Sequence, residues 1–268
     1  MKSISNEQIN EMRIGQVMKR LNSHLIADYD NETIEALKKR KNELRPHKVY
    51  KSKPKKEIQP ATQKQIDKLF WANYKRLILS KSPHIDKVEN YKSECRLFCD
   101  YLGGSKDFEN FKPKSGDTIK FLNEPSLFKG ICLIGSFGIG KSIYLECMNL
   151  TRYIEQDNVI HYVPNRIESE MLTSHNIVDR FDDDKFLFES YKTRKTLIID
   201  DFGYEKKNYG NNELAGLIHS RHNKKLKTHI STNFIPEDII ARYGQVTFER
   251  IKEMCNIIVI NRDKSLRK

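Results

Sequence analysis

Eight consecutive residues, Gly135, Ser136, Phe137, Gly138, Ile139, Gly140, Lys141 and Ser142, follow directly on an apolar run at 131–134. They fit the spacing Gly-x-x-x-x-Gly-Lys-Ser, in which the glycines let the backbone curl until its N–H groups converge on phosphate oxygens. Lys141 would place its charge on the β- and γ-phosphates, and the Ser142 hydroxyl would ligate magnesium. A helix beginning near Lys141 adds the positive end of its dipole to the same anion. The ligand these residues call for is a nucleoside triphosphate, ATP with Mg2+.

A second set of residues complements the first. Residues 197–199 are apolar and run into Asp200 and Asp201. An acid at the tip of a buried strand can reach the phosphate loop, so Asp200 is the expected second partner of the metal. Asp201 is placed to polarise the attacking water, a task more often given to Glu, with Glu205 the next residue to consider. A further strand at 228–232 ends in Asn233, whose amide either orients that water or caps the following turn. The reaction this constellation would support is ATP hydrolysis.

The elements that must hold these groups come from hydrophobic patterning. Short apolar runs at 131–134, 159–163, 196–199, 229–232 and 257–260 are mostly separated by stretches long enough for a helix. Strands alternating with helices give an α/β class with a five-stranded parallel sheet covered on both faces. The first half of the chain reads as helices at 5–24, 31–43, 63–80 and 86–101, the second opening at an Asp30-Asn31 cap and the last stopping at Gly103-Gly104. The expected division is a basic helical arm and linker (1–62), a helical module (63–120) and an ATPase domain (121–268).

From residue 126 onward the chain resembles the AAA+ ATPases of the DnaC/IstB group, bacterial and phage helicase loaders and transposition helper ATPases. The residues that carry the resemblance are the phosphate loop, the Ile199-Asp200-Asp201-Phe202-Gly203 string, and the stretches 217–223, 231–234, 241–255 and 265–267. It implies an AAA+ P-loop fold without a full C-terminal lid. It also implies Asn233 as a sensor of the γ-phosphate and Arg250 as an arginine finger offered in trans to a neighbouring subunit. Arg267 would be a second sensor that contacts the nucleotide. Read from its own surroundings, Arg250 lies among Glu249, Lys252 and Glu253, where salt bridging within the helix is the plainer alternative.

The bulk properties narrow the function further. The net charge of +12 and pI of about 9.3 suit a polyanionic partner. Ten Lys/Arg crowd positions 38–56 against one acid, Glu43, as either a solvated linker or a DNA-contacting arm. Trp71, flanked by Lys68, Lys75 and Arg76, could stack on bases, although its helical spacing also fits core packing. No apolar run approaches the length of about 18 residues that crosses a bilayer, and the polar first residues lack the pattern of a signal peptide.

Five scattered cysteines form no disulfide framework, so the expected location is cytoplasmic. Cys95 and Cys99 could share a helix face, but without a second Cys/His pair ordinary packing is the simpler reading than zinc. The resemblance implies a loader that delivers a replicative helicase to single-stranded DNA, gripping it through the N-terminal module and self-associating around Arg250. A transposition helper ATPase and a slowly hydrolysing nucleotide-dependent adaptor are the alternatives. A small-molecule kinase would need an acceptor lid and a base of its own, and neither is visible.

Overall fold

The computed structural model describes residues 3–12, 16–17, 20–21, 29–44, 57–82, 88–164, 169–205, 213–262 and 265–266. The chain forms two compact units, Met1–Lys55 and Lys56–Lys268.

In the first unit, α1 (Asn6–Glu11) opens with a capping box in which Ser5 and Gln8 exchange hydrogen bonds. It ends at Met12 in extended backbone, ψ 135°, so the continuous helix expected over 5–24 is broken there. The second helix, α2 (Asn31–Leu44), starts where Asp30 accepts a hydrogen bond from Thr33 N at 2.7 Å. Ile9, Met12, Val17 and Leu37 form the small core of this unit.

The second unit is built on a six-stranded sheet in the order β2 (Ile119–Phe121), β9 (Cys255–Ile260), β3 (Gly130–Ile134), β8 (Lys227–Thr232), β7 (Thr196–Asp200), β6 (Met171–Thr173). The last five are parallel to one another, and β2 adds an antiparallel edge to them. Four of the five expected strands lie in this sheet. The fifth expected run forms β5 (Val159–Tyr162), which pairs instead with β4 (Tyr153–Gln156) and β1 (Ile58–Pro60) in a separate three-stranded sheet. The hairpin β4–β5 turns through Asp157 and Asn158, both left-handed (φ 51° and 63°), the two-residue turn that matches strand twist. The place expected for it is taken by β6, three residues at the sheet edge and too short to show a period.

Successive side chains of a strand point to opposite faces, and the core divides accordingly. Ile131 and Leu133 of β3 join one cluster, and Cys132 and Ile134 the other. The second cluster is closed by α7 (Ser174–Asp183), α8 (Lys185–Tyr191), α9 (Glu213–Asn223), α10 (Pro236–Tyr243) and α11 (Gln245–Met254). The first is closed by α3 (Gln63–Lys81), α4 (Lys92–Gly103), the short α5 (Lys106–Glu109) and α6 (Lys141–Leu150).

That first face corrects the expected division at 120/121. Ile66, Phe70, Tyr74, Leu77 and Ile78 of α3 and Leu97 and Phe98 of α4 pack in one cluster with Tyr144, Leu145 and Met148 of α6. Residues 63–103 therefore have no core apart from the sheet. Trp71 is partly buried against this cluster and stacks on Tyr74, its centroid 5.9 Å away, so it packs rather than presenting a bare ring. Cys95 and Cys99 lie buried in the same cluster, where burial pushes both thiols up.

Candidate nucleotide-binding site

The phosphate loop runs from the end of β3 into the first turn of α6. Gly138 (φ 73°) and Gly140 (φ 96°) take the left-handed backbone that glycine adopts without strain, and they fold the loop back over the helix N-terminus. Ile139 is buried and anchors the loop in the core, while Ser136 and Phe137 face outward. Gly135 leaves no room for a side chain, since a Cβ there would lie 2.6 Å from Ile260 O. The Lys141 side chain is 5% exposed. Its ammonium donates to the carbonyls of Gly135 and Ser136, both at 2.9 Å, and to Asn233 Oδ1 at 2.5 Å.

Because β8 lies between β3 and β7, three strand ends converge on the loop. Ser142 Oγ donates to Asp200 Oδ1 at 2.8 Å, and Ser231 Oγ donates to the same oxygen. A hydroxyl and a buried carboxylate this close form a hard oxygen pair suited to Mg2+ beside phosphate oxygens. Asp201 is exposed and left-handed (φ 52°), a conformation that Asp tolerates better than Glu. Its backbone is fixed on both sides: Ser174 Oγ donates to Asp201 O at 2.6 Å, and Asp201 N donates to Ser231 Oγ at 3.2 Å.

Lys81 and Ser82, Phe137, Gly138, Gly140, Lys141, Ser142, Ile143, Asp201, Asn233 and Leu266 line a cleft of about 150 Å³ at this point. The helix after Asn233, α10, has Ile235 as its N-cap and no side-chain cap. The Asn233 amide therefore faces the loop and is not a helix cap. Glu205 is buried and committed to structure. It accepts from Arg242 Nε at 3.1 Å and Nη2 at 2.9 Å, and from the Tyr243 hydroxyl. Its geometry removes it as a stand-in for Asp201.

No family model matches the chain. A stretch of 126 residues, 46% of the chain, is 29% identical to the replicative helicase loader DnaI of Bacillus subtilis (strain 168) and covers 39% of that protein's length. Among solved structures, the DnaC helicase loader is similar at 18% identity and TM-score 0.42, covering 66% of this chain and 93% of that one. DnaI is similar at 20% identity and TM-score 0.41, covering 69% and 94%. The chain resembles the DnaC-like AAA+ helicase loaders.

The two arginines named by that resemblance fall differently. Arg250 lies half-buried on α11 and does not line the cleft. Nor does it pair along its helix. Glu249 bonds Lys252 at 2.9 Å, and Glu253 lies 2.6 Å from His222 Nε2. Among the described residues no carboxylate is paired with Arg250; its charge, after burial, holds the nearby His219 below its ordinary pKa. Arg267 lies outside the described residues.

The segment just before it meets the loop directly: Leu266 N donates to Gly138 O at 2.7 Å, and Arg262 Nη1 donates to Ile139 O at 2.9 Å. Arg262 also pairs with the buried Glu94 of α4, which accepts from Tyr144 and from Thr118 Oγ1 (2.7 Å) as well. Burial opposes the Arg262 charge, yet Tyr144 and Glu94 around it hold its pKa above the ordinary value. Sequence patterning offers no sign of this network, since its partners lie up to 168 positions apart.

Proposed function

We propose that this chain is an ATP-binding and ATP-hydrolysing loader that delivers a replicative helicase to single-stranded DNA, as a cytoplasmic self-associating protein. The carrying observation is the convergence of Lys141, Ser142, Asp200 and Asn233 on one crevice, in a chain of which 126 residues are 29% identical to a replicative helicase loader.

In this reading the loop N–H groups and Lys141 hold the phosphates, and Ser142 and Asp200 hold Mg2+. Held there by Ser142 and Asp200, Mg2+ would supply positive charge against the phosphate oxygens. Asp201 takes the proton from the attacking water, and Asn233 holds that water toward the γ-phosphate. Arg250 reaches a site on the adjoining protomer, and Arg267 contacts the nucleotide in its own. The helical N-terminal part supplies the grip on the helicase.

The decisive experiment incubates the full chain with the replicative helicase of its source and circular single-stranded DNA, with and without ATP. Helicase recovered on the circle only when the chain and ATP are both present supports the proposal. Efficient nucleotide turnover with no helicase complex under any condition would refute it.

A further inference from the structure

Parallel strands begin at one edge of a sheet and end at the other, and the nucleotide cleft occupies the ends. At the starting edge, β7 and β8 run in register, with Thr196 beside Lys227. The loops leading into them read Lys192-Thr193-Arg194-Lys195 and Lys224-Lys225-Leu226-Lys227, six cations in eight residues without an acid. Lys224 Nζ donates across to Lys192 O at 3.3 Å, which ties the two loops together.

Beneath them lies Arg221, wholly buried. It donates to Tyr191 O (2.5 Å), Arg194 O (2.9 Å), Lys227 O (2.7 Å) and Thr228 Oγ1 (2.9 Å), all of them neutral acceptors. Burial, with Arg194 alongside, lowers its pKa to about 10, which leaves it charged at neutral pH. The guanidinium thus fixes both loops and adds a charge that no carboxylate among the described residues offsets. Of the nearby acids, Glu189 pairs with Lys192 of this edge at 2.5 Å, and Glu253 is engaged elsewhere, with His222. Arg194, Lys195, Lys224 and Lys225 have no carboxylate partner among the described residues.

One exposed ring stands beside these cations. Phe128 is 91% exposed in the loop before β3, the strand next to β8. The residue before it, Leu127, accepts a hydrogen bond from Lys227 Nζ at 3.3 Å. Cations on fixed loops with a bare aromatic beside them match the two features of an unpaired strand, its phosphates and its open base faces. An acidic peptide would answer the cations and leave the ring in water, and a duplex closes its base faces.

We propose that this edge binds single-stranded nucleic acid, with Lys195, Lys224 and Lys225 on phosphates and Phe128 stacked on a base. The inference rests on the reading that the chain works on single-stranded DNA. Lying across the sheet from the cleft, the site leaves nucleotide binding free to proceed alongside it.

The test is fluorescence anisotropy of a labelled oligothymidylate titrated with the full chain at several salt concentrations. Replacing Lys195, Lys224 and Lys225 together by Gln should lower the slope of log affinity against log salt by about 2, at roughly 0.7 per phosphate contact. Phe128→Ala should weaken single-strand binding about tenfold and leave duplex binding unchanged. Both variants should bind a fluorescent ATP analogue as the parent does, which reports that they are folded. An unchanged slope in the triple variant, while the parent binds, would overturn this surface and leave the loader reading standing. A parent that binds no oligothymidylate would refute the single-strand part of that reading itself. Competition by polyglutamate as effective as by oligothymidylate, with Phe128→Ala silent, would reassign the edge to an acidic protein and overturn the proposal.

Discussion

Acidification should weaken the second unit through one residue, His229. It lies in β8, fully buried, and neither ring nitrogen has a hydrogen-bond partner. Burial, reinforced by the charges of Lys227 and Arg221, lowers its pKa to about 3 from an ordinary 6.5. In the unfolded chain His229 takes up a proton as pH falls through 6.5, whereas in the folded state it stays neutral until about 3. Stability is therefore complete above 6.5 and declines toward 3, by about 1.4 kcal/mol per pH unit where only the unfolded chain is protonated. Between pH 7 and 5 the loss from this residue is about 2 kcal/mol.

Urea denaturation followed by Trp71 fluorescence measures it, because the chain's one tryptophan packs against the core of the second unit. His229→Leu should remove the titration, so the parent should lose about 2 kcal/mol more than the variant between the two pH values. Equal losses would show that His229 is reached by water or by a partner in the fold, and the reasoning from burial would fail.

Other perturbations address the site. Lys141→Ala should weaken ATP-analogue binding by roughly tenfold to a hundredfold, as expected for a charge-assisted contact to phosphate; affinity within threefold of the parent would contradict the assignment. Asp201→Asn keeps a side chain that tolerates left-handed backbone, so binding should persist while turnover falls about a hundredfold or more in a steady-state phosphate-release assay. Arg250→Ala should bind ATP nearly normally and hydrolyse it about a thousandfold more slowly. Mixing Arg250→Ala with Lys141→Ala should restore part of the activity, and co-assembly without recovery would make Arg250 a helix-surface arginine.

How much of this could be read from the sequence follows from how local each signal is. The phosphate loop is eight contiguous residues, and its strand–loop–helix setting was plain on either side of it. Asp200 and Asn233 were legible because each ends an apolar strand, and the parallel order of β3, β8 and β7 brings such ends together. The helix over 63–80 was also visible, but a helical period does not name the surface it covers. Here it covers α6, so a division that looked natural at 120/121 vanishes into a shared core. β6 was hidden by its brevity. Glu94 and Arg262 were hidden because charged residues distant in sequence look like surface until the fold joins them. Glu205 drew attention by position alone, and only Arg242 and Tyr243 reveal that its carboxylate is already spent on holding a turn.

The shared core under α3 and α4 also limits how this protein can change by recombination. An exchange at residue 121 that replaced everything upstream would strip the cover from Tyr144, Leu145 and Met148, and a foreign segment would have to arrive with matching apolar faces. It would also have to bring a carboxylate for Arg262, or leave that guanidinium buried without its partner beside the phosphate loop. The small cluster of Ile9, Met12, Val17 and Leu37, by contrast, lies wholly within residues 1–55. Lineages that exchange N-terminal segments on this phosphate-loop domain should therefore carry α3 and α4 along with it.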